Sequence, residues 1–260
     1  MRSAWMIFVA TALIALCGCG GSSSSTSPTP QVTIVSGNWG IALTAQPGTF
    51  TPMIAGGVIN QSGTSFSGIL HLQGSTCFDS QLDDLVLSGT LSASTITLTS
   101  APVRGQVLAM SVTPAANQVD QVKALSGSWT ITGGACAGSG TSLMASIPPL
   151  TGTWSGPITN AVTGTVGATL TQSGPDAHGF FQVSGSFAFS GTPCFTAGTI
   201  ASSSVSGLEA DIVLNTNDAA QAQVSIIHSP APTADRLLTS ITPLSTTCFG
   251  SFIQATLNKQ

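Results

Sequence analysis

Three histidines, nine carboxylates and six cysteines carry whatever reactive chemistry this chain of 260 residues could perform. Acyl transfer needs a Ser or Cys nucleophile beside a histidine that a carboxylate orients. His71, His178 and His228 sit in unrelated sequence surroundings, and no Gly-x-Ser-x-Gly turn occurs in the chain, so the common hydrolase signature is missing. Glycoside hydrolysis needs two carboxylates flanking the bond. Asp79, Asp83 and Asp84 form the one acidic cluster of the first half, and Glu209 with Asp211 is its nearest equivalent in the second. Asp83-Asp84 reads as a solvated turn ahead of a strand starting at Leu85; as a calcium loop its ligand spacing and number are poor. Asp176-Ala177-His178 lies between Gly174 and Gly179 and reads as an exposed hairpin tip. No catalytic, cofactor-binding or metal-ligating residue is assigned, no cofactor is expected, and a hydrolase is the weakest functional class.

Composition narrows the partners. Charged residues make up 5% of the chain, with 5 Lys+Arg against 9 Asp+Glu and a net charge of -4. A nucleic-acid binder must neutralise several phosphates with Lys or Arg, and no basic run exists to do it. A charge-driven disordered chain is excluded too, because 42% of the residues are hydrophobic. Ser and Thr supply 70 positions and there is no Tyr, a composition that suits a hydroxyl-clad β protein outside the cytoplasm.

The N-terminus supports export. Arg2 precedes an apolar run from Trp5 to Leu16, too short to span about 30 Å of hydrocarbon but suited to the core of a secretory signal. The run ends in Leu16-Cys17-Gly18-Cys19, which resembles the lipobox of bacterial lipoproteins. The resemblance implies that Leu16 and Gly18 direct processing, that residues 1–19 are a signal ending at the acceptor, and that Cys19 carries the lipid. Residue 20 is Gly rather than Asp, which by the same resemblance implies the outer membrane, facing the periplasm or the cell surface. Residues 20–31, rich in Gly, Ser, Thr and Pro, have too little apolar surface to fold and read as a tether of about 20 Å mean span.

The remainder is one unit written twice, over residues 32–148 and 149–260. Ser36-Gly37-Asn38-Trp39-Gly40 aligns with Thr151-Gly152-Thr153-Trp154-Ser155, Gly74 to Phe78 with Gly191 to Phe195, and the surroundings of Cys136 with those of Cys248. A period near 115 residues is too long for a solenoid and fits two domains of ordinary size. In an oxidising compartment Cys77–Cys136 and Cys194–Cys248 are the pairs that let each copy close its own disulfide, worth roughly 4 kcal/mol each in the chain-entropy model. A metal site is the rival, but no Cys-x-x-Cys is present.

Hydrophobic periodicity in both copies is two. Phe181, Val183, Phe187 and Phe189 share a face, as do Ile96 and Leu98, then Ala210, Ile212 and Leu214, then Ile253, Ala255 and Leu257. Strands are expected near residues 36–45, 52–60, 65–73, 83–91, 94–100, 105–112, 125–133 and 141–147, with a similar set in the second copy. The expected fold is all-β: two tandem antiparallel up-and-down barrels of about eight strands, with a β-sandwich as the alternative. Gly37-x-Trp39 and Gly152-x-Trp154 on a first strand resemble the opening of lipocalin- and avidin-type barrels, where the Trp closes one end. The absence of Tyr means that no ligand residue transfers. The expected function is a lipid-anchored, non-catalytic binding or structural module of the cell envelope, bound to the membrane through its anchor. An envelope protein, a glycan or a small apolar ligand would be its partner. A lipocalin-like carrier of an apolar ligand is the alternative.

Overall fold

A computed structural model of the chain describes residues 32–45, 53–73, 75, 78–80, 82–115, 123–134, 136–160, 163–192, 195–230, 235–244 and 252–260. Cys19 with its signal and tether, and Cys77, Cys194 and Cys248, lie outside the described residues. The first barrel comprises β1 (Gly37–Ala45), β2 (Met53–Ser62), β3 (Ser65–Gln73), β4 (Leu85–Ser92), β5 (Thr95–Ser100), β6 (Val107–Pro114), β7 (Ala124–Thr132) and β8 (Gly138–Ser146). The second comprises β9 (Gly152–Pro157), β10 (Thr165–Pro175), β11 (Phe181–Ser190), β12 (Ala197–Ser206), β13 (Glu209–Thr216), β14 (Gln221–Pro230), β15 (Asp235–Pro243) and β16 (Ile253–Lys259).

Each strand pairs antiparallel with its neighbours in sequence, and both sheets close on themselves, so the architecture is two barrels in tandem and not a pair of sandwiches. Closure differs between them. β1 and β8 run in register from Trp39↔Ser146 to Ala45↔Gly140. β9 meets β16 at Asn258↔Ser155 and Lys259↔Trp154, then across an isolated bridge between Ile158 and Ala255. At Gly156, between these two stretches, a Cβ would lie 1.9 Å from the Thr256 carbonyl oxygen, so the chain crosses there without a side chain.

Alternation explains why these segments became strands. Inward positions such as Ile96 and Leu98 in β5, or Ala222, Val224 and Ile226 in β14, are buried, and the residues between them are exposed. The inward side chains fill each barrel: Trp39 and Trp129 in the first, Trp154 in the second, all essentially inaccessible. Phe78 and Phe195, each directly after a cysteine, enter the two cores at matching places.

One device recurs in both barrels. The indole Nε1 of Trp39 donates to the Val35 carbonyl at 2.9 Å, and that of Trp154 donates to the Leu150 carbonyl at 2.8 Å, each four residues back. Gln61 accepts from the Ile34 amide at 2.7 Å and Gln172 from the Leu150 amide at 2.9 Å. The backbone amides of these glutamines donate to Ser36 Oγ and Thr151 Oγ1. A glutamine thus clips the lead-in segment over the tryptophan at the mouth of each barrel, which leaves the buried amide and indole groups satisfied.

Candidate functional site

Residues Val32–Gln260 form one compact unit, and the chemistry-bearing side chains collect along the seam where the barrels meet. The β12–β13 turn, Gly207-Leu208, presses on β1 and β2. Asn38 Nδ2 donates to the Gly207 carbonyl and Asn38 Oδ1 accepts from the Gly207 amide, both at 2.8 Å, so a side-chain amide completes a two-bond backbone pairing across the seam. Approach is close enough to require glycine on both sides. A methyl group at Gly56 would lie 2.5 Å from the Gly207 nitrogen, and Gly207 itself adopts a φ of +60°.

The β10–β11 hairpin makes the second contact. Asp176 Oδ1 accepts from the amides of His178 and Phe180 and shapes the tip. The tip lays the Phe180 ring on His71 of β3, with centroids 3.9 Å apart and planes within 16°. It also brings the His178 carbonyl to 2.8 Å from His71 Nε2, and His178 Nδ1 to 2.8 Å from Asp84 Oδ2. Between the two contacts lies a cleft of about 180 Å³, lined by Gln73 and Ser80 of the first barrel and Phe180, Ser204, Glu209 and Asp211 of the second.

The sequence placed His71, His178, Asp84, Glu209 and Asp211 far apart, and the fold brings them to this seam. Asp83, expected in a solvated turn, is instead 9% exposed. It pairs with Arg104 at 2.9 Å and accepts from the Asp79 amide at 2.7 Å, while Asp79 Oδ1 accepts from Leu82. A buried carboxylate needs such partners, and these ones fold the loop between Phe78 and β4. The hydrogen bonds of His71 and His178 run to a carbonyl and a carboxylate, not to a hydroxyl or thiol, so the pair is arranged to hold two barrels together. His228 is separate: it points into the second barrel with its ring edge-on to Trp154, 6.0 Å away, and neither ring nitrogen has a hydrogen-bond partner. Cys136 is buried. Among the described residues no three His, Cys, Asp or Glu side chains converge as metal ligands.

Burial drives the electrostatics. His71 titrates below its ordinary value of 6.5 because burial disfavours the imidazolium, partly offset by the His178 carbonyl and by Asp84 and Asp176. His228 is lowered by burial as well, an effect that Asp235 opposes and the Lys259 ammonium reinforces. His178 is raised by its hydrogen bond to Asp84, and Glu209 is raised by burial and then by Asp211.

A pH dependence follows. For His71 and His228 the unfolded chain binds more protons than the folded one between their lowered values and 6.5, so stability falls as pH drops through that window. The His178–Asp84 pair works in the opposite sense. It contributes fully below 6.5 and fades as pH rises through the raised value of His178, weakly because that ring is 68% exposed. Thermal melts between pH 8 and 5 should therefore show a falling midpoint. His228→Met, which removes two unpaired buried nitrogens, should flatten the curve and raise stability at pH 5 by about 1–3 kcal/mol. Parallel curves for wild type and variant would contradict the assignment.

Comparison with protein-family models, and with curated proteins, returned no match for this chain.

Proposed function

We propose that this chain is a lipid-anchored, non-catalytic binding module of the bacterial cell envelope, held at the outer membrane through Cys19. The observation that carries the proposal is where the reactive side chains are used. His71, His178 and Asp84 interlock the barrels, and Asp79 and Asp83 brace a loop. Glu209 and Asp211 border the cleft between the barrels. A rigid pair of hydroxyl-clad barrels on a short tether suits presentation of a surface to a partner. Inward positions of both barrels are taken up by large side chains, Trp39, Trp129, Trp154 and Phe187 among them, so an apolar ligand is better placed outside the barrels than within them.

The same proposal includes one disulfide per copy, Cys77–Cys136 and Cys194–Cys248. The burial of Cys136, and the matching burial of Phe78 and Phe195 beside the first cysteine of each pair, support it. The anchor is tested by Cys19→Ser. The variant is expected to leave the membrane fraction and the detergent phase while keeping the circular dichroism of the wild type. Partitioning equal to wild type would refute the anchor.

A further inference from the structure

The cleft at the seam is built on the outer wall of the second barrel, where β12 and β13 set four oxygen-bearing side chains at the corners of a square. Register places Ser206 opposite Glu209 and Ser204 opposite Asp211. Opposite residues have Cβ atoms about 4.5–5.5 Å apart, and alternate residues along a strand are about 7 Å apart. Gln73 and Ser80 of the first barrel and the Phe180 ring complete the lining. Ser206 follows the core residue Val205 and so faces outward, yet it is 5% exposed, because the first barrel covers it at Gly56. Its Oγ lines the cleft and has no hydrogen-bond partner among the described residues. A buried hydroxyl left in that state costs free energy that a bound ligand would recover. The carboxylates beside it are uncompensated. Asp211 Oδ1 accepts from Ser225 Oγ at 3.1 Å, and among the described residues neither Glu209 nor Asp211 enters an ion pair. Burial, and then the like charge of Asp211, push Glu209 above its ordinary value. The segment between Gln73 and β4, residues 74–84, contains no Lys or Arg.

We propose that this cleft binds a primary ammonium group carried on a short hydrocarbon stem; the inference deepens the binding role proposed above and rests on its non-catalytic reading, though not on the anchor. Charge selects the sign of the ligand. An anion would meet two carboxylates and no cation, and a neutral polyol would leave both carboxylates uncompensated. Donor count selects the group. An ammonium has three N–H donors and no acceptor. The lining supplies acceptors from three sides: Ser204 and Ser206 on β12, Glu209 and Asp211 on β13, and the Gln73 amide oxygen on β3. Acceptors spread in this way suit a tetrahedral ammonium better than the planar fork of a guanidinium. A divalent metal is the rival of the same sign. Calcium gathers about six to eight oxygens closely around it, and among the described residues no three His, Cys, Asp or Glu side chains converge. The cleft, at about 180 Å³, is also roomier than an ion requires, since a water takes about 30 Å³ in the liquid. One wall is the Phe180 ring, held in place by its stacking on His71. It offers nothing to a metal, but it gives the stem an apolar surface and the ammonium a π system that attracts cations.

The test titrates n-butylammonium into the nitrogen-15-labelled full-length protein in non-ionic detergent, at pH 8 and constant ionic strength, and reads backbone amide shifts. Saturable shifts are expected at Gln73, Ser204, Ser206, Glu209 and Asp211. Glu209→Gln and Asp211→Asn should each weaken binding about tenfold, and Ser206→Ala about threefold. All three changes nearly preserve side-chain size, so the fold stays intact. Absence of saturable shifts, the same shifts with n-butanol, or binding unaffected by all three variants would overturn the proposal. Calcium bound more tightly than the amine at the same residues would overturn the choice of ligand and make the cleft a metal site. Nα-acetyl-lysine methylamide separates two carriers of the same group. Binding at least as tight as that of butylammonium assigns the cleft to a lysine side chain of a partner, and weaker binding assigns it to a free amine. Butylammonium recovered chemically altered would defeat the non-catalytic reading, whereas unaltered amine bound elsewhere on the protein would defeat this site alone.

Discussion

Gly56→Val is expected to pry the two barrels apart while leaving each one folded. The substituted side chain points at backbone and not at a side chain that could turn aside: even its Cβ would lie 2.5 Å from both the Gly207 nitrogen and the Ser206 carbonyl carbon. Overpacking of this kind costs about 1–3 kcal/mol where a neighbour can yield, and here the neighbour that yields is the seam. Separation also breaks the paired Asn38–Gly207 hydrogen bonds, each worth about 0.5–1.5 kcal/mol net, and removes Phe180 from His71. Small-angle scattering should report a larger radius of gyration, and the His71 resonances should titrate near 6.5 instead of below it. Gly63→Ala is the control, because that glycine has φ of +60° but nothing within 4 Å of the added carbon; it should pay local strain and leave the seam closed. An unchanged scattering profile for Gly56→Val would show that the close approach does not hold the barrels.

Trp154→Ala is expected to destabilise the second barrel by about 3–5 kcal/mol. The loss has three parts: a fully buried indole, a Leu150 carbonyl left without its donor, and the contact with the Lys259 ammonium, 5.3 Å from the ring centroid. Trp39→Ala should do the same to the first barrel by stranding the Val35 carbonyl, although Trp129 shares that core and donates to Thr44. Trp154→Phe keeps most of the volume and should cost clearly less. Calorimetry of the two alanine variants should resolve an early transition belonging to the altered barrel. A change below about 0.5 kcal/mol in either would mean that the tryptophan does not close its barrel.

The β character of this chain was legible because strands such as β5, β13 and β14 declare themselves by alternation, and the spans expected in the first copy match the observed ones within two or three residues. The duplication was legible through the tryptophans and through the phenylalanines that follow Cys77 and Cys194 in sequence, which serve the same purpose in each copy. The seam was hidden for a physical reason. It joins two copies that face each other through different surfaces, so its residues have no repeated counterpart. Asn38 aligns with Thr153, and His71 meets His178 across 107 positions of sequence. Departures from repeat symmetry at otherwise matched positions were the available signal. Asp83 was misread because its partner Arg104 follows the β4–β5 hairpin, and only the folded hairpin brings the two together. The glutamine clips were missed likewise, since Gln61 and Gln172 contact segments that precede them by more than twenty residues.

Closed barrels offer no unpaired strand for another chain to join, which matters for a protein with so little charge to keep its copies apart. The protection is unequal. The first barrel is zipped along seven consecutive residue pairs between β1 and β8, whereas the second is joined at Ser155 and Trp154, skips the glycine-forced crossing at Gly156, and resumes at Ile158. When thermal fluctuation unfastens a wall, β9 and β16 are the strands that come free. Self-association of this molecule, whether by exchange of β16 or by stacking of exposed edges, therefore starts where β9 and β16 close the second barrel.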